Sequence, residues 1–438
     1  MKHPLYLFSA IFFFSLVCST FFSENPLLTL KGTTGKLFGS GVLLLCVFVF
    51  ICISFGFQMH PALLWGCLIS NCINFILIIL NRFNIDPLHM YDAILASSAS
   101  DYLGTIGQMN IVSGHICIFL PLFIGLFLYA EAPLSKLLYG IGIVLGVAAG
   151  VCSNSDSFFL GLGVCLLCYF WFAFSSKKML LSFSWIPVLI MVSSLFLQMY
   201  TRYAKKEAVW LDLQYNYLEK IGWGSSFFLC LPVILFLFFR TPSTEEKKQK
   251  INLYQWRWIL FAFIGICILF FLFYLFHVNF RTESGTVGVP KLFLFSDDWG
   301  SNRGYVWTRT FALWKGLSFR EKLFGVGPGG FQMFFSEYYM ESIEKFGYYF
   351  IDAHNEFLQF LVTTGIAGTI GYFGMIFCCI FCCVKQQSKA STVIACTLLT
   401  ALAQGIVNNP LVFTTPYLFV FMGIYLATAS CEQRSRSI

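Results

Sequence analysis

Charge is scarce in this chain. Only 11% of its 438 residues are charged, against 58% hydrophobic and 19% aromatic. A water-soluble domain carries roughly 25% charged residues, so this composition cannot cover a water-facing surface and excludes a soluble globular protein. There is no basic stripe either: the net charge of +7 is spread over separate short segments, which argues against a nucleic-acid partner. Cysteine, 17 in all, is missing from the longest polar stretch, between Val278 and Ala353, which argues against a disulfide framework outside the cell. The run CCIFCC at 378–383 has no histidine or second CxxC beside it. It reads as small apolar residues closing a helix rather than a metal site. No A-x-A site follows the first apolar run, after Lys2 and His3, so that run reads as a retained helix rather than a cleaved signal.

Long apolar runs fill the rest, and mean hydropathy is +0.76. A membrane-crossing helix needs about 20 apolar residues. The runs predict an all-α integral membrane protein, one polytopic domain over 1–438, with about twelve spans. These are Leu5–Phe22, Leu37–Phe57, Pro61–Leu80, Ile111–Ala130, Leu137–Val151, Phe158–Phe174, Met179–Met199, Ser225–Phe239, Trp258–His277, Phe357–Cys383, Thr392–Val407 and Val412–Ala427. Twelve spans put both termini on one side. The connections holding Lys2, Lys136, Lys177, Lys178, the 240–257 cluster, Lys385, Lys389, Arg434 and Arg436 outnumber in lysine and arginine the short loops opposite, which hold Lys31, Lys36, Arg82, Arg202, Lys205, Lys206 and Lys220. Basic loops stay inside. The termini are therefore expected in the cytoplasm, and the long loop 278–355, between the ninth and tenth spans, outside.

The stretch Ser296–Gly371 is the densest in polar, charged and glycine residues. It predicts a helix over about Gly304–Leu317, capped by Ser301 or Asn302 with Asp297 and Asp298 just ahead. Trp307, Phe311 and Trp314 share one face with Arg303, which suits a helix lying on a membrane surface. Gly325, Gly327, Gly329 and Gly330 around Pro328 predict a turn of unusual backbone geometry, and Phe331–Glu344 a second surface helix.

Two residue types there carry chemistry. His354 sits at the N-terminal mouth of the tenth span, where a helix disfavours a positive imidazole. It should be neutral, as a general base must be; taken alone, it reads rather as an interfacial histidine that only caps or hydrogen-bonds. Arg303 offers a fork suited to phosphate oxygens; alone, it equally reads as a lipid-headgroup anchor. Asn355 and Gln359 lie one turn apart and are placed to orient a polar substrate. Asp297–Asp298 is not a spaced metal pair, and the glycines lack the strand–loop–helix context of a nucleotide loop.

Taken in order, Arg303 with Trp307 four later, the aromatic helix, Gly325, Gly327, Gly329 and Phe331, then His354, Asn355, Leu358 and Gln359, then Gly365 and Gly368, resemble the bacterial O-antigen ligase and polymerase family. Thr29–Gly39 and Gly104–Asn110 are similar to that family's early loop signatures. The resemblance implies a GT-C-like architecture and a metal-independent, cofactor-free inverting transfer of a glycan from an undecaprenyl-diphosphate carrier to a lipid or glycan acceptor, on the outer face of the inner membrane. His354 would be the base and Arg303 the cation on the diphosphate, with Asn355, Gln359, Trp307 and Gly327 in the binding site. Polymerase and protein O-glycosyltransferase activities share these motifs; a flippase for the same lipid-linked glycans is the alternative of another class. One departure stands out. Members often carry Ser-Arg-Gly at the turn between helices five and six, which here reads Asn154-Ser155-Asp156-Ser157. Arg202, Lys205 and Lys206 are the substitute cations by side and charge.

Overall fold

The computed structural model describes residues 3–33, 36–94, 101–203, 253–280, 289–290 and 293–436. Helices run in chain order as α1 (Pro4–Phe22), α2 (Pro26–Lys31), α3 (Ser40–Gly56) and α4 (Pro61–Arg82), then α5 (Met109–Tyr129), α6 (Pro133–Cys152), α7 (Asp156–Ala173), α8 (Lys177–Phe183) and α9 (Trp185–Tyr203). After these come α10 (Leu253–Phe280), α11 (Trp299–Gly316), α12 (Phe319–Phe324), α13 (Phe331–Phe334), α14 (Tyr339–Phe346), α15 (Glu356–Thr363), α16 (Gly365–Gln386), α17 (Lys389–Gly405) and α18 (Thr415–Arg436). Between α4 and α5, β1 (Tyr102–Leu103) pairs antiparallel with β2 (Gly107–Gln108), Tyr102 opposite Gln108. Among the described residues, eight helices are long and apolar enough to cross a membrane, and two more apolar helices are shorter. The chain is an all-α membrane protein. The expected eighth span, Ser225–Phe239, lies outside the described residues.

Three expectations need correction. The tenth segment is not one helix: α15 stops at Thr363 and α16 begins at Gly365, whose φ of 69° is left-handed. The helix of the long loop has no side-chain cap from Ser301 or Asn302. Both residues, with Gly300, form a left-handed turn ahead of it, and the Tyr305 N–H bonds the Asp297 carbonyl at 3.1 Å. The second surface helix is three short pieces, α13, a 3-10 turn at Ser336–Tyr338 and α14.

The chain divides into two compact units. One joins Met1–Gly56, Gln255–Phe381 and Gly405–Ile438. Here α3 packs along α18, where Gly423 lets the helices approach: a Cβ there would stand 2.9 Å from the Ile53 Cβ. Small residues at such crossings let backbones come close in lipid. Aromatic rings fill its core: Phe360 stacks on Tyr372 at 4.2 Å, and Phe12 contacts Phe360, Tyr372 and Phe419. A second cluster, Tyr305, Val306, Phe331, Phe335, Phe350, Ala353 and Val362, packs α11 against the pieces that follow it. Helix α10 has no buried residue in its most apolar window; a helix apolar all round suits lipid on its free faces. Its Asn279 ties it to the loop, donating to the Phe293 carbonyl at 2.8 Å and accepting from the Phe295 N–H at 2.7 Å.

The other unit joins Phe57–Tyr254 and Cys382–Gln404. Helix α5 is its core, largely buried against α4, α6 and α7. Several of its buried polar groups pair across elements: Asn71 with His115 at 2.9 Å, Ser113 with Ser157 at 2.7 Å, and Asn74 and Asn81 with the Thr105 and Gly104 N–H groups of the hairpin. In hydrocarbon an unpaired polar group is costly, so such pairs fix helix register.

Candidate functional site

The site is assembled at the N-terminal end of α15. Asn355 caps this helix, its Oδ1 accepting from the Leu358 N–H at 2.9 Å. Its Nδ2 donates to the Ile406 carbonyl at 2.8 Å. The next carbonyl, Val407, accepts from Arg303 Nε at 2.9 Å, and Arg303 Nη1 donates to Gly300 at 2.6 Å. Two consecutive carbonyls of one turn thus hold Arg303 and the cap of the histidine-bearing helix. The left-handed turn at Gly300–Asn302 brings the Gly300 carbonyl back to the guanidinium and fixes the plane of its fork.

The peptide of Ala353 is clamped from both sides. Trp307, one helical turn beyond Arg303, donates its Nε1–H to the Ala353 carbonyl at 3.0 Å, and Gln359 Oε1 accepts from the Ala353 N–H at 2.9 Å. His354 follows with φ of 48°, a left-handed conformation rare for a non-glycine residue. Such strain persists only where the surroundings enforce it, as these clamps do. The imidazole is half-buried, with the Phe350 ring edge-on at 6.4 Å.

Electrostatics keep that imidazole neutral more strongly than the helix end alone would. Burial, then the nearby Arg303, then Lys36 push its pKa down to about 3. Lys36 forms an ion pair with Asp352. Burial lowers the Lys36 ammonium to about 8; the carboxylate beside it favours the charged form, so Lys36 is a cation at neutral pH. Arg303, Lys36 and His354 therefore share one electrostatic neighbourhood.

A stability consequence follows. An unfolded imidazole titrates at 6.5 and the folded one at about 3. Between those values the unfolded chain binds a proton that the folded chain refuses, so stability falls as pH drops through the window and is untouched by this group above it. Thermal melts from pH 7 to 4 are expected to decline more steeply for wild type than for His354→Gln; parallel declines would refute this.

The glycine motifs have a packing origin. The chain at 323–326 crosses the chain at 362–365 with backbones touching: the Val326 N–H bonds Val362 O at 2.9 Å and the Gly327 N–H bonds Thr363 O at 3.0 Å. Gly327, with φ of 101°, leaves no room for a Cβ beside Thr29. Ser15 and Ser19 of α1 donate to the Thr364 and Thr363 carbonyls at 2.8 Å each. The phosphate-cradle appearance of these glycines is thus backbone crossing.

Of the residues read from sequence, Arg303, Trp307, His354, Asn355 and Gln359 come together. Asn355, Gln359 and Trp307 make their described hydrogen bonds to backbone groups and so build the site's frame. Arg202 stands in the last turn of α9, in the other unit, with no side chain described; Lys205 and Lys206 lie outside the described residues. Sequence reasoning missed Lys36 as a site residue, although it stands inside the Thr29–Gly39 signature. It also missed Glu356, buried, which accepts from the Tyr372 hydroxyl at 2.7 Å and packs against Gly405, at the root of the turn that holds Arg303. The turn at Asn154–Ser157 is served by a buried arginine from α4: Arg82 Nε donates to the Cys152 carbonyl at 2.6 Å. Among the described residues, no group of three or more histidine, cysteine, aspartate or glutamate side chains is placed to hold a metal ion.

Residues 218–373 match the O-antigen ligase family. The matched stretch contains Arg303, the glycine crossing and His354, and it bears out the resemblance read from the motifs. With the apolar helices it indicates a glycan-transferring membrane enzyme of ligase type. No curated protein matches the chain.

Proposed function

We propose that the protein transfers a glycan from undecaprenyl diphosphate to an acceptor hydroxyl at the extracytoplasmic face of the inner membrane. The observation that carries this reading is geometric: Arg303 and the Asn355 cap are held by the adjacent carbonyls of Val407 and Ile406, and Lys36 pairs with Asp352, so two cations are anchored beside the residues on either side of His354 in the chain. The acceptor oxygen forms a bond to the anomeric carbon as the bond from that carbon to the diphosphate oxygen breaks. His354 takes the acceptor's proton, and polyprenyl diphosphate leaves with its charge held by Arg303 and Lys36. A single displacement inverts the anomeric centre.

The electrostatics supply an order to these events. An imidazole with a pKa of about 3 is a poor proton acceptor. Seating an anionic diphosphate beside the imidazole favours its protonated form and raises its pKa against the lowering by burial and the two cations. The base thus gains strength only when the donor is in place. Lys36 supplies a second cation beside Arg303, and the excess of lysine and arginine in the opposite loops supports the outward orientation of the site.

The test is reconstitution. Purified protein in lipid, given a synthetic polyprenyl-diphosphate glycan and an acceptor saccharide, is expected to release polyprenyl diphosphate and form an inverted glycoside, resolved by NMR, with EDTA leaving the rate unchanged. Lys36→Met is expected to raise the donor KM by roughly tenfold or more with Lys36→Arg restoring most of it, the pattern of lost charge pairing rather than lost fold. A retained anomeric configuration, or full donor affinity in a well-folded Lys36→Met protein, would overturn the corresponding step.

A further inference from the structure

The corner where α11 turns into α12 carries three exposed or half-buried cations that the transfer derived above does not use: Lys315, Arg320 and Lys322. Arg309 and Lys345 of the same loop, by contrast, are paired with Asp297 and Glu341. The three at the corner stand over aromatic rings instead. The Lys315 ammonium lies 4.7 Å from the centre of the Phe311 ring, that of Lys322 lies 5.7 Å from the Trp314 ring, and the Arg320 guanidinium lies 5.5 Å from the Phe22 ring. Phe311 and Trp314 stack on each other, and Lys322 Nζ donates to the Lys315 carbonyl at 2.7 Å, which ties α12 to the end of α11. Glu321, the one acid between Lys315 and Lys322 in the sequence, is turned back on its own helix, where it accepts from the Ser318 hydroxyl and N–H. The corner therefore presents positive charge set among rings.

Its height is set by α1. Phe22 ends that helix, which is long and apolar enough to cross a membrane, and the Phe22 ring meets Phe324 of α12 at 5.9 Å as well as Arg320. Helix α12 thus lies where hydrocarbon gives way to headgroups. Phe319, at its start, is 82% exposed, and Phe21, beside Phe22 in α1, is 75% exposed. Bare rings at that depth suit lipid, while long cationic side chains extend from it into the headgroup layer. Cations beside interfacial rings draw lipids of net negative charge; a zwitterionic headgroup brings a cation of its own against them. We infer that this corner is a docking surface for anionic phospholipids, whose headgroups meet Lys315, Arg320 and Lys322 and whose acyl chains meet Phe319 and Phe21. Because α12 leads directly into the glycine crossing with α15, a lipid held here fixes the height of that crossing against the leaflet. The inference does not depend on the transferase reading and stands or falls without any measurement of glycan transfer.

The experiment uses the full chain in nanodiscs of equimolar phosphatidylglycerol and phosphatidylcholine with a small fraction of polyprenyl diphosphate. Phe319, and separately Phe311, is replaced by the photo-crosslinking residue p-benzoylphenylalanine; both positions are exposed, so the core is left intact. After irradiation, mass spectrometry identifies the lipid joined to the chain. Capture of phosphatidylglycerol is expected to exceed that of phosphatidylcholine about threefold or more. Adding Lys315→Gln, Arg320→Gln and Lys322→Gln together is expected to bring the ratio to about one, whereas Lys315→Arg with Lys322→Arg keeps it, which separates charge from packing. Equal capture of the two lipids by the chain with its cations intact, a ratio unmoved by the triple glutamine change, or no lipid adduct at either position would overturn the docking surface. So would capture mainly of the polyprenyl carrier, which would place the corner on the donor's path instead.

Discussion

Replacing His354 with alanine is expected to lower kcat by about 10²–10⁴-fold, the usual contribution of a positioned base, with the donor KM little changed. The donor's charge is met by Arg303 and Lys36, and removing a neutral imidazole leaves both cations in place. Arg303→Ala should lower kcat by a comparable factor, about 10²–10³-fold, as loss of a donor to a developing anion does, and should raise the donor KM as well. Arg303→Lys should recover little, because an ammonium cannot span the Val407 and Gly300 carbonyls while facing a phosphate with a fixed fork. The two losses should combine to less than their product, since base and cation act on one transition state. The measurement is steady-state transfer in lipid for both single variants and the double variant, each first shown to be folded by its melting profile. A folded His354→Ala protein with wild-type kcat would end the assignment of the base.

The pH profile separates base from structural histidine. In the free site the imidazole is neutral down to about pH 3, so kcat/KM for the donor carries no acid limb from His354 in the ordinary working range. In the donor complex its pKa rises, so an acid limb should appear in kcat alone. The donor's charge is the cause of that separation; removing Arg303 or Lys36 should raise the imidazole's pKa in the free site, with burial still holding it below the ordinary range.

Apolar periodicity made the helices legible, because a membrane-crossing segment must bury its backbone polar groups within itself and declares its length in composition. The break at Thr364–Gly365 was not legible: the apolar run Phe357–Cys383 continues through it, and only the crossing with Leu323–Phe324 demands it. The left-handed turn at Gly300–Asn302 hid for the opposite reason. Serine and asparagine before a helix ordinarily cap it, but here the Asp297 carbonyl occupies that role and the Asp297 carboxylate is held by Arg309 and Lys345. Arg303 and His354 were visible as chemistry in a greasy chain. Lys36 was visible only as a charge in a loop, because its pairing with Asp352 joins distant parts of the chain. Asn355 and Gln359 show the converse limit: the hydrogen-bonding groups that suit a substrate also suit a backbone amide.

The glycine crossing carries the largest expected effect on stability. Gly325 and Gly365 are reciprocal. A Cβ on Gly365 would run into the Leu323 carbonyl and stand 2.5 Å from the Phe324 nitrogen, and a Cβ on Gly325 would run into the Thr363 carbonyl and stand 2.5 Å from the Thr364 nitrogen. The obstructing atoms are backbone, so they cannot rotate away, and both residues have positive φ, 81° and 69°. Left-handed geometry costs a non-glycine residue about 1–2 kcal/mol and forced overpacking about 1–3 kcal/mol more. Either alanine should therefore remove about 2–5 kcal/mol, much of the 5–15 kcal/mol typical of a folded domain. Two glycines of the same unit calibrate the effect. Gly347, φ 80°, has open space around it, so Gly347→Ala should show the conformational cost alone. Gly316, at the end of α11, has open space and no left-handed backbone, so Gly316→Ala should be neutral or slightly stabilising. Melting of the four variants, followed by size-exclusion after heating in detergent, is expected to rank Gly316→Ala highest, Gly347→Ala next and Gly325→Ala and Gly365→Ala lowest. If Gly365→Ala melted with Gly347→Ala, the backbones would not touch at the crossing, and α15 would lose the contact that sets where His354 stands.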